Sequence, residues 1–115
     1  MKLGVFRDTR LVGQVWLDDR QNLVFQYDKA YIDSEYAHPL SLRLPLREAP
    51  YENDEARPFF SNLLPEGDIR ELIAKVVHVS KNNDFALLRE IGGECAGAVS
   101  ILPEGRTPLD SGRME

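Results

Sequence analysis

Phe59-Phe60-Ser61-Asn62-Leu63-Leu64-Pro65-Glu66-Gly67 is the stretch that decides how this chain reads. Phe59, Phe60, Leu63 and Leu64 fall at i, i+1, i+4 and i+5, one face of a helix. Pro58 suits a first helical turn, where its missing N–H would be unpaired anyway. Pro65 and Gly67 then stop the helix. The closing tetrapeptide, Leu64-Pro65-Glu66-Gly67, recurs as Leu102-Pro103-Glu104-Gly105. One copy follows a helical pattern and the other a strand pattern. They are therefore two different joints and not a solenoid repeat.

The residues before this stretch read as β-structure. Short apolar runs from Lys2, Leu11 and Leu23 are separated by the polar turns Arg7-Asp8-Thr9-Arg10 and Asp18-Asp19-Arg20-Gln21-Asn22, the pattern of an antiparallel meander. Leu40, Leu42, Leu44 and Leu46 alternate with Ser41, Arg43, Pro45 and Arg47. That period of two predicts a further strand, which Pro45 places at an edge.

The residues after the stretch read as helical. Ile69, Leu72, Ile73, Val76 and Val77 fit i, i+3, i+4, i+7 and i+8, a second helix with these side chains inward. Asp84 is expected to N-cap a third, with Phe85, Leu88 and Ile91 inward and Gly92 as its C-cap. Ala98 to Leu102 is a last strand that returns to the sheet. The expected fold is α+β: a small antiparallel sheet or partly closed barrel from the N-terminal half plus the returning strand, packed with about three helices. Residues 1–105 make the domain. Residues 106–115, with Pro108 and Gly112, make a flexible tail.

Composition narrows the function. A chain of 115 residues, 43% hydrophobic and 29% charged, fits a single soluble domain rather than a disordered one. No apolar run approaches the ~20 residues of a membrane helix. The N-terminus has no signal-peptide core. A single cysteine, Cys95, excludes an internal disulfide and a Cys-based zinc cage. With only His38 and His78 besides, no metal or other cofactor is expected, and the cytosol is the expected compartment. Net charge is −5, and Glu48 to Glu71 holds seven acids against Arg57 and Arg70, which equals the whole excess. Such a segment repels a phosphate backbone and suits a basic protein partner. Direct nucleic-acid or membrane binding is not expected.

No catalytic constellation emerges. Gly92-Gly93-Glu94-Cys95-Ala96-Gly97 is glycine-rich, but it lacks a phosphate-binding lysine and sits between a helix and a strand, the reverse of a phosphate cradle. It reads as a helix cap with a tight entry into the strand. Cys95 has no base beside it in the pattern and reads as a small buried or half-buried thiol. Glu66 and Asp68 share one turn with no partner that would make them an acid/base pair. Trp16 reads as core, or as an anchor for a partner.

Arg43-Leu44-Pro45-Leu46, the Phe59–Gly67 block, Asp84-Phe85-Ala86-Leu87-Leu88, Ile91-Gly92 and Gly97-Ala98-Val99 through Pro103-Glu104 together resemble the N-terminal subdomain of HipA-type Ser/Thr kinases, toxins of bacterial toxin–antitoxin systems. The resemblance spans Leu3 to Gly105 and implies a non-catalytic module. It also implies two settings. In tripartite HipBST systems this subdomain is a separate antitoxin, HipS, acting on a short kinase, HipT, with a helix-turn-helix protein, HipB, in a ternary complex. Alternatively it is the regulatory subdomain of a single-chain kinase. A start at Met1 and a stop ten residues after Gly105 favour the free-standing form. The expected kinase contact is the turn Leu64, Pro65, Glu66, Gly67 and Asp68, with Val12 and Trp16 as an apolar patch. Relatives often carry tryptophan directly after Pro-Glu-Gly, where this chain has Asp68. Carboxylates therefore replace an aromatic plug, and Glu66 and Asp68 would meet basic or phosphate-binding groups of the kinase.

Overall fold

The turns that join the first three strands are built by local chemistry. Asp8 and Gln21 take positive φ (57° and 66°) at the two reversals. Asp18 Oδ1 accepts the backbone N–H groups of Arg20 (2.8 Å) and Asn22 (2.9 Å), an Asx-type closure of the second turn. Strands Lys2–Arg7 (β1), Arg10–Leu17 (β2) and Leu23–Tyr27 (β3) consequently form the expected antiparallel meander. The structure, a computed structural model, describes residues 2–94 and 99–105. Val99–Pro103 (β4) returns antiparallel to β1, so the sheet order is β3-β2-β1-β4. β3 and β4 lie at opposite edges. The sheet is open, and the partly closed barrel is ruled out.

Among the described residues four α-helices accompany the sheet: Lys29–Ile32 (α1), Asn53–Ser61 (α2), Gly67–Val76 (α3) and Asp84–Ile91 (α4). The single turn α1 has too few residues to show a helical period, and it is additional to the expected three. α2 starts five residues before Pro58, because Asp54 and Glu55 suit the positive end of a helix dipole. Pro58 therefore sits inside the helix and not in its first turn. Asn83, not Asp84, caps α4, accepting the Ala86 N–H at 3.0 Å. Gly92 does follow α4 as its C-cap. A Cβ there would fall 2.8 Å from Ile101 Cβ and 2.9 Å from Ile101 O, so glycine lets β4 pass close behind the helix.

The core lies between the helices and the sheet face bearing Leu3, Val5, Val15, Phe25 and Ile101, all fully buried. Phe60 of α2 packs on Phe25 with ring centroids 5.4 Å apart, and Leu87 and Leu88 of α4 join them.

The strand expected at Leu40–Leu46 does not form. Leu44 is fully buried while Leu42 is 99% exposed, so the alternating leucines do not share a face. Tyrosine hydroxyls take this segment's backbone groups instead. Tyr27 accepts the Leu40 N–H at 2.8 Å and donates to the Leu44 carbonyl. Tyr31 accepts the His38 N–H and donates to the His38 carbonyl, both at 3.0 Å. Tyr51 donates to the Pro45 carbonyl. Burial raises the pKa of both Tyr27 and Tyr51, keeping the phenols neutral donors.

Candidate functional site

The turn between α2 and α3 is tethered at one end and open at the other. Leu64 is buried among the core side chains and Pro65 is half-buried, whereas Glu66, Gly67 and Asp68 are exposed. Gly67 has φ +62° and opens α3 from a left-handed conformation that favours glycine. The five turn residues therefore form one feature with a fixed base and an acidic tip.

Electrostatics sharpen that tip. Arg57 of α2 and Arg70 of α3 both turn to Asp84, which is 6% exposed at the start of α4. Arg57 Nε lies 2.9 Å from Oδ2, Arg70 Nη2 bonds Oδ1, and Arg70 Nε also donates to the Lys81 carbonyl at 2.6 Å. The only two cations of the Glu48–Glu71 segment are thus committed to an acid outside it. Glu48, Glu55 and Glu71 have exposed partners in Lys29, Arg47 and Lys81. Among the described residues, Glu52, Asp54, Glu66 and Asp68 have no ion pair. An open groove of about 620 Å³ runs past Arg57, Arg70 and Asp84. Because both guanidiniums face Asp84, it offers no free cation pair to an anion.

α3 departs most from the sequence reading. Its only fully buried residue is Ala74; Ile73 and Val77 are half-buried. Ile69, Leu72 and Val76, expected inward, are 62%, 63% and 69% exposed. The apolar arc is wider than the surface the domain covers, so half of it faces outward. Sequence reasoning also misses Asp84, Arg57 and Arg70 as a unit. Two isolated bases in an acidic run and an aspartate at a helix start are their only signal.

Trp16 does not join the turn. In the β2–β3 register Trp16 faces Val24 while Val15 faces Phe25, so Trp16 lies on the opposite sheet face from α2. It is half-buried, with Lys2 Nζ 4.5 Å from its ring centroid. Val12 is fully buried, which removes it from any surface patch. Among the described residues no cluster of His, Cys, Asp or Glu is placed to hold a metal. None of the described helices is long and apolar enough to cross a membrane. Cys95, Ala96 and Gly97 of the glycine-rich segment, Ala98 and the proposed tail lie outside the described residues.

Comparison with known proteins matches residues 3–102 to the family described as HipA N-terminal domain. The chain is 44% identical over 112 residues to "Putative kinase Y4mE" of Sinorhizobium fredii, covering 97% of this chain and 27% of that protein. It is 30% identical over 87 residues to a protein of Haemophilus influenzae with no function in its name, covering 76% of this chain and 78% of that one. Among solved structures it resembles a chain in the complex of Shewanella oneidensis HipA, HipB and operator DNA. There the TM-score is 0.78 at 30% identity, over 90% of this chain and 24% of that chain. The chain thus spans about a quarter of the length of its kinase-named relative and of this structural neighbour.

Proposed function

The chain belongs to the HipA N-terminal domain family, and from that premise we infer that it is a non-catalytic binding module that engages a HipA-type Ser/Thr kinase as a separate chain and restrains it. This is the antitoxin role of HipS toward HipT. A HipB-type helix-turn-helix protein completes the ternary complex, and the setting is cytoplasmic. The observation that carries the free-standing reading is the Haemophilus influenzae relative, most of whose length the match covers.

The turn Leu64–Asp68 is the wedge. Leu64 anchors it in the core, and Glu66 and Asp68 present unpaired carboxylates to basic or phosphate-binding groups of the kinase. Each exposed pair contributes only ~0–1 kcal/mol, and pairs desolvated in the interface contribute more. Trp16 is a separate contact, since the sheet lies between it and the turn. Co-expression with a HipA-type kinase lacking its own N-terminal domain tests this reading. Wild-type chain should restore growth, and Glu66→Lys with Asp68→Lys should weaken that rescue while the melting temperature holds. Growth arrest despite soluble wild-type chain defeats the antitoxin role; full rescue by the double variant defeats the wedge.

The single-chain reading draws support from the kinase-named relative, of which this chain matches only 27%. Neighbouring reading frames separate the two: a short kinase and a helix-turn-helix protein alongside favour the separate antitoxin.

A further inference from the structure

We propose that the outward half of α3, the stripe Ile69–Leu72–Val76, seats in an apolar groove with a basic margin on the kinase body, making α3 the principal docking element beside the acidic wedge. The proposal rests on the reading of the chain as a kinase-binding module.

At roughly 100° per residue, Ile69, Leu72 and Val76 fall within an arc of about 60° on one side of α3. Ile73, Val77 and Ala74 continue the apolar surface round to the core side. Seven residues at ~1.5 Å each separate the first and last of the stripe, about two helical turns. All three side chains are more than three-fifths exposed, on a helix that tucks only Ala74 fully inside. Isolated exposed leucines are ordinary; three in register along one helix are the pattern of a helix laid in a groove.

Charge and continuity point to the occupant. The stripe begins one residue after Asp68, so wedge and stripe form one surface. Its margin carries Glu66 and Asp68, neither with an ion pair among the described residues; the nearby cations Arg70 and Lys81 are held by Asp84 and Glu71, which leaves exposed Lys75 in the last turn as the one base of α3 without an ion pair among the described residues. A second copy would set these two acids against a single base, Lys75, and so leave acid unmatched. A basic-margined groove is the complementary surface. The structural neighbour, of which this chain matches 24%, shows how much further protein such a fold accompanies within one kinase-system chain.

The test uses the full chain and a co-purified HipA-type kinase lacking its own N-terminal domain. Ile69→Ser with Leu72→Ser should weaken binding at least tenfold by calorimetry and leave the melting temperature of the free chain unchanged, because both side chains already face solvent. Undiminished binding by this variant overturns the docking stripe while the kinase-binding reading stands. No binding by wild-type chain overturns that reading and the stripe with it. If sedimentation shows a wild-type dimer that the serine variant makes monomeric, with kinase affinity unaltered, the stripe is a self-association surface and the proposal is wrong.

Discussion

Removing the carboxylate of Asp84 should unfasten the helical half of the molecule. Asp84 is 6% exposed, Arg70 17% and Arg57 50%. Asp84→Asn keeps the side chain's size and the cap from Asn83, but leaves the mostly buried Arg70 guanidinium without a counter-charge. Breaking a buried pair from one side costs about 3–5 kcal/mol. The half-exposed Arg57 is screened by water, so Arg57→Ala should cost ~0–1 kcal/mol. Arg70→Ala leaves Asp84 paired with Arg57 and loses two charge-assisted bonds, an intermediate roughly 1–3 kcal/mol. Urea unfolding followed by Trp16 fluorescence should therefore rank the losses Asp84 above Arg70 above Arg57. With a slope of ~1–3 kcal/mol per molar urea, the Asp84→Asn midpoint should fall by about 1 M or more. Hydrogen exchange adds a local readout. Arg70→Ala should speed exchange across Gly67–Val76 before the strands, since Ala74 is the only residue of α3 that is fully buried. A loss below about 1 kcal/mol for Asp84→Asn, or equal losses for Arg57→Ala and Asp84→Asn, would refute this account.

Three further outcomes follow from the same geometry. Tyr27→Phe strands the Leu40 N–H and the Leu44 carbonyl and should cost about 1–3 kcal/mol in urea unfolding; no loss would mean that water replaces the hydroxyl. Tyr27 and Tyr51 have folded pKa values raised above 10.0 by burial, so the folded state holds their protons longer. That contribution is complete below the unfolded value and declines as pH rises through the folded ones. Stability should be flat toward neutrality and fall above about pH 10, with Tyr27→Phe flattening the decline; a midpoint unchanged between about pH 9 and about pH 11 contradicts it. Gly67→Ala meets nothing within 4 Å, so its cost is conformational: at φ +62° about 1–2 kcal/mol is expected. Gly67→Asn should recover part of that loss, and equal losses for the two would point away from backbone strain.

The strands, their turns and the Pro65–Gly67 joint are legible in the sequence because they rest on local signals: a period of two, Asx turns and helix-stopping residues. The turn Leu64–Asp68 is legible for the same reason, since one short stretch holds it all. What escapes depends on partners far along the chain. The alternating leucines from Leu40 carry a strand's period, but Tyr27, Tyr31 and Tyr51 capture the loop's backbone groups from His38 to Pro45. The period of α3 is that of a helix, yet period alone does not say how much of an apolar arc a fold has room to cover. Asp84 lies 27 residues from Arg57 and 14 from Arg70, so no window shorter than the fold itself brings them together.

The Tyr51 bridge carries one more consequence. Tyr51 and Phe25 exchange backbone hydrogen bonds, Phe25 N–H to Tyr51 O at 3.0 Å and Tyr51 N–H to Phe25 O at 2.6 Å. Phe25 stands midway along β3, at the sheet's outer edge. A bare edge is a template on which another molecule can add a strand and begin to aggregate. By pairing at a single point, Tyr51 denies β3 the uninterrupted ladder that such recruitment requires.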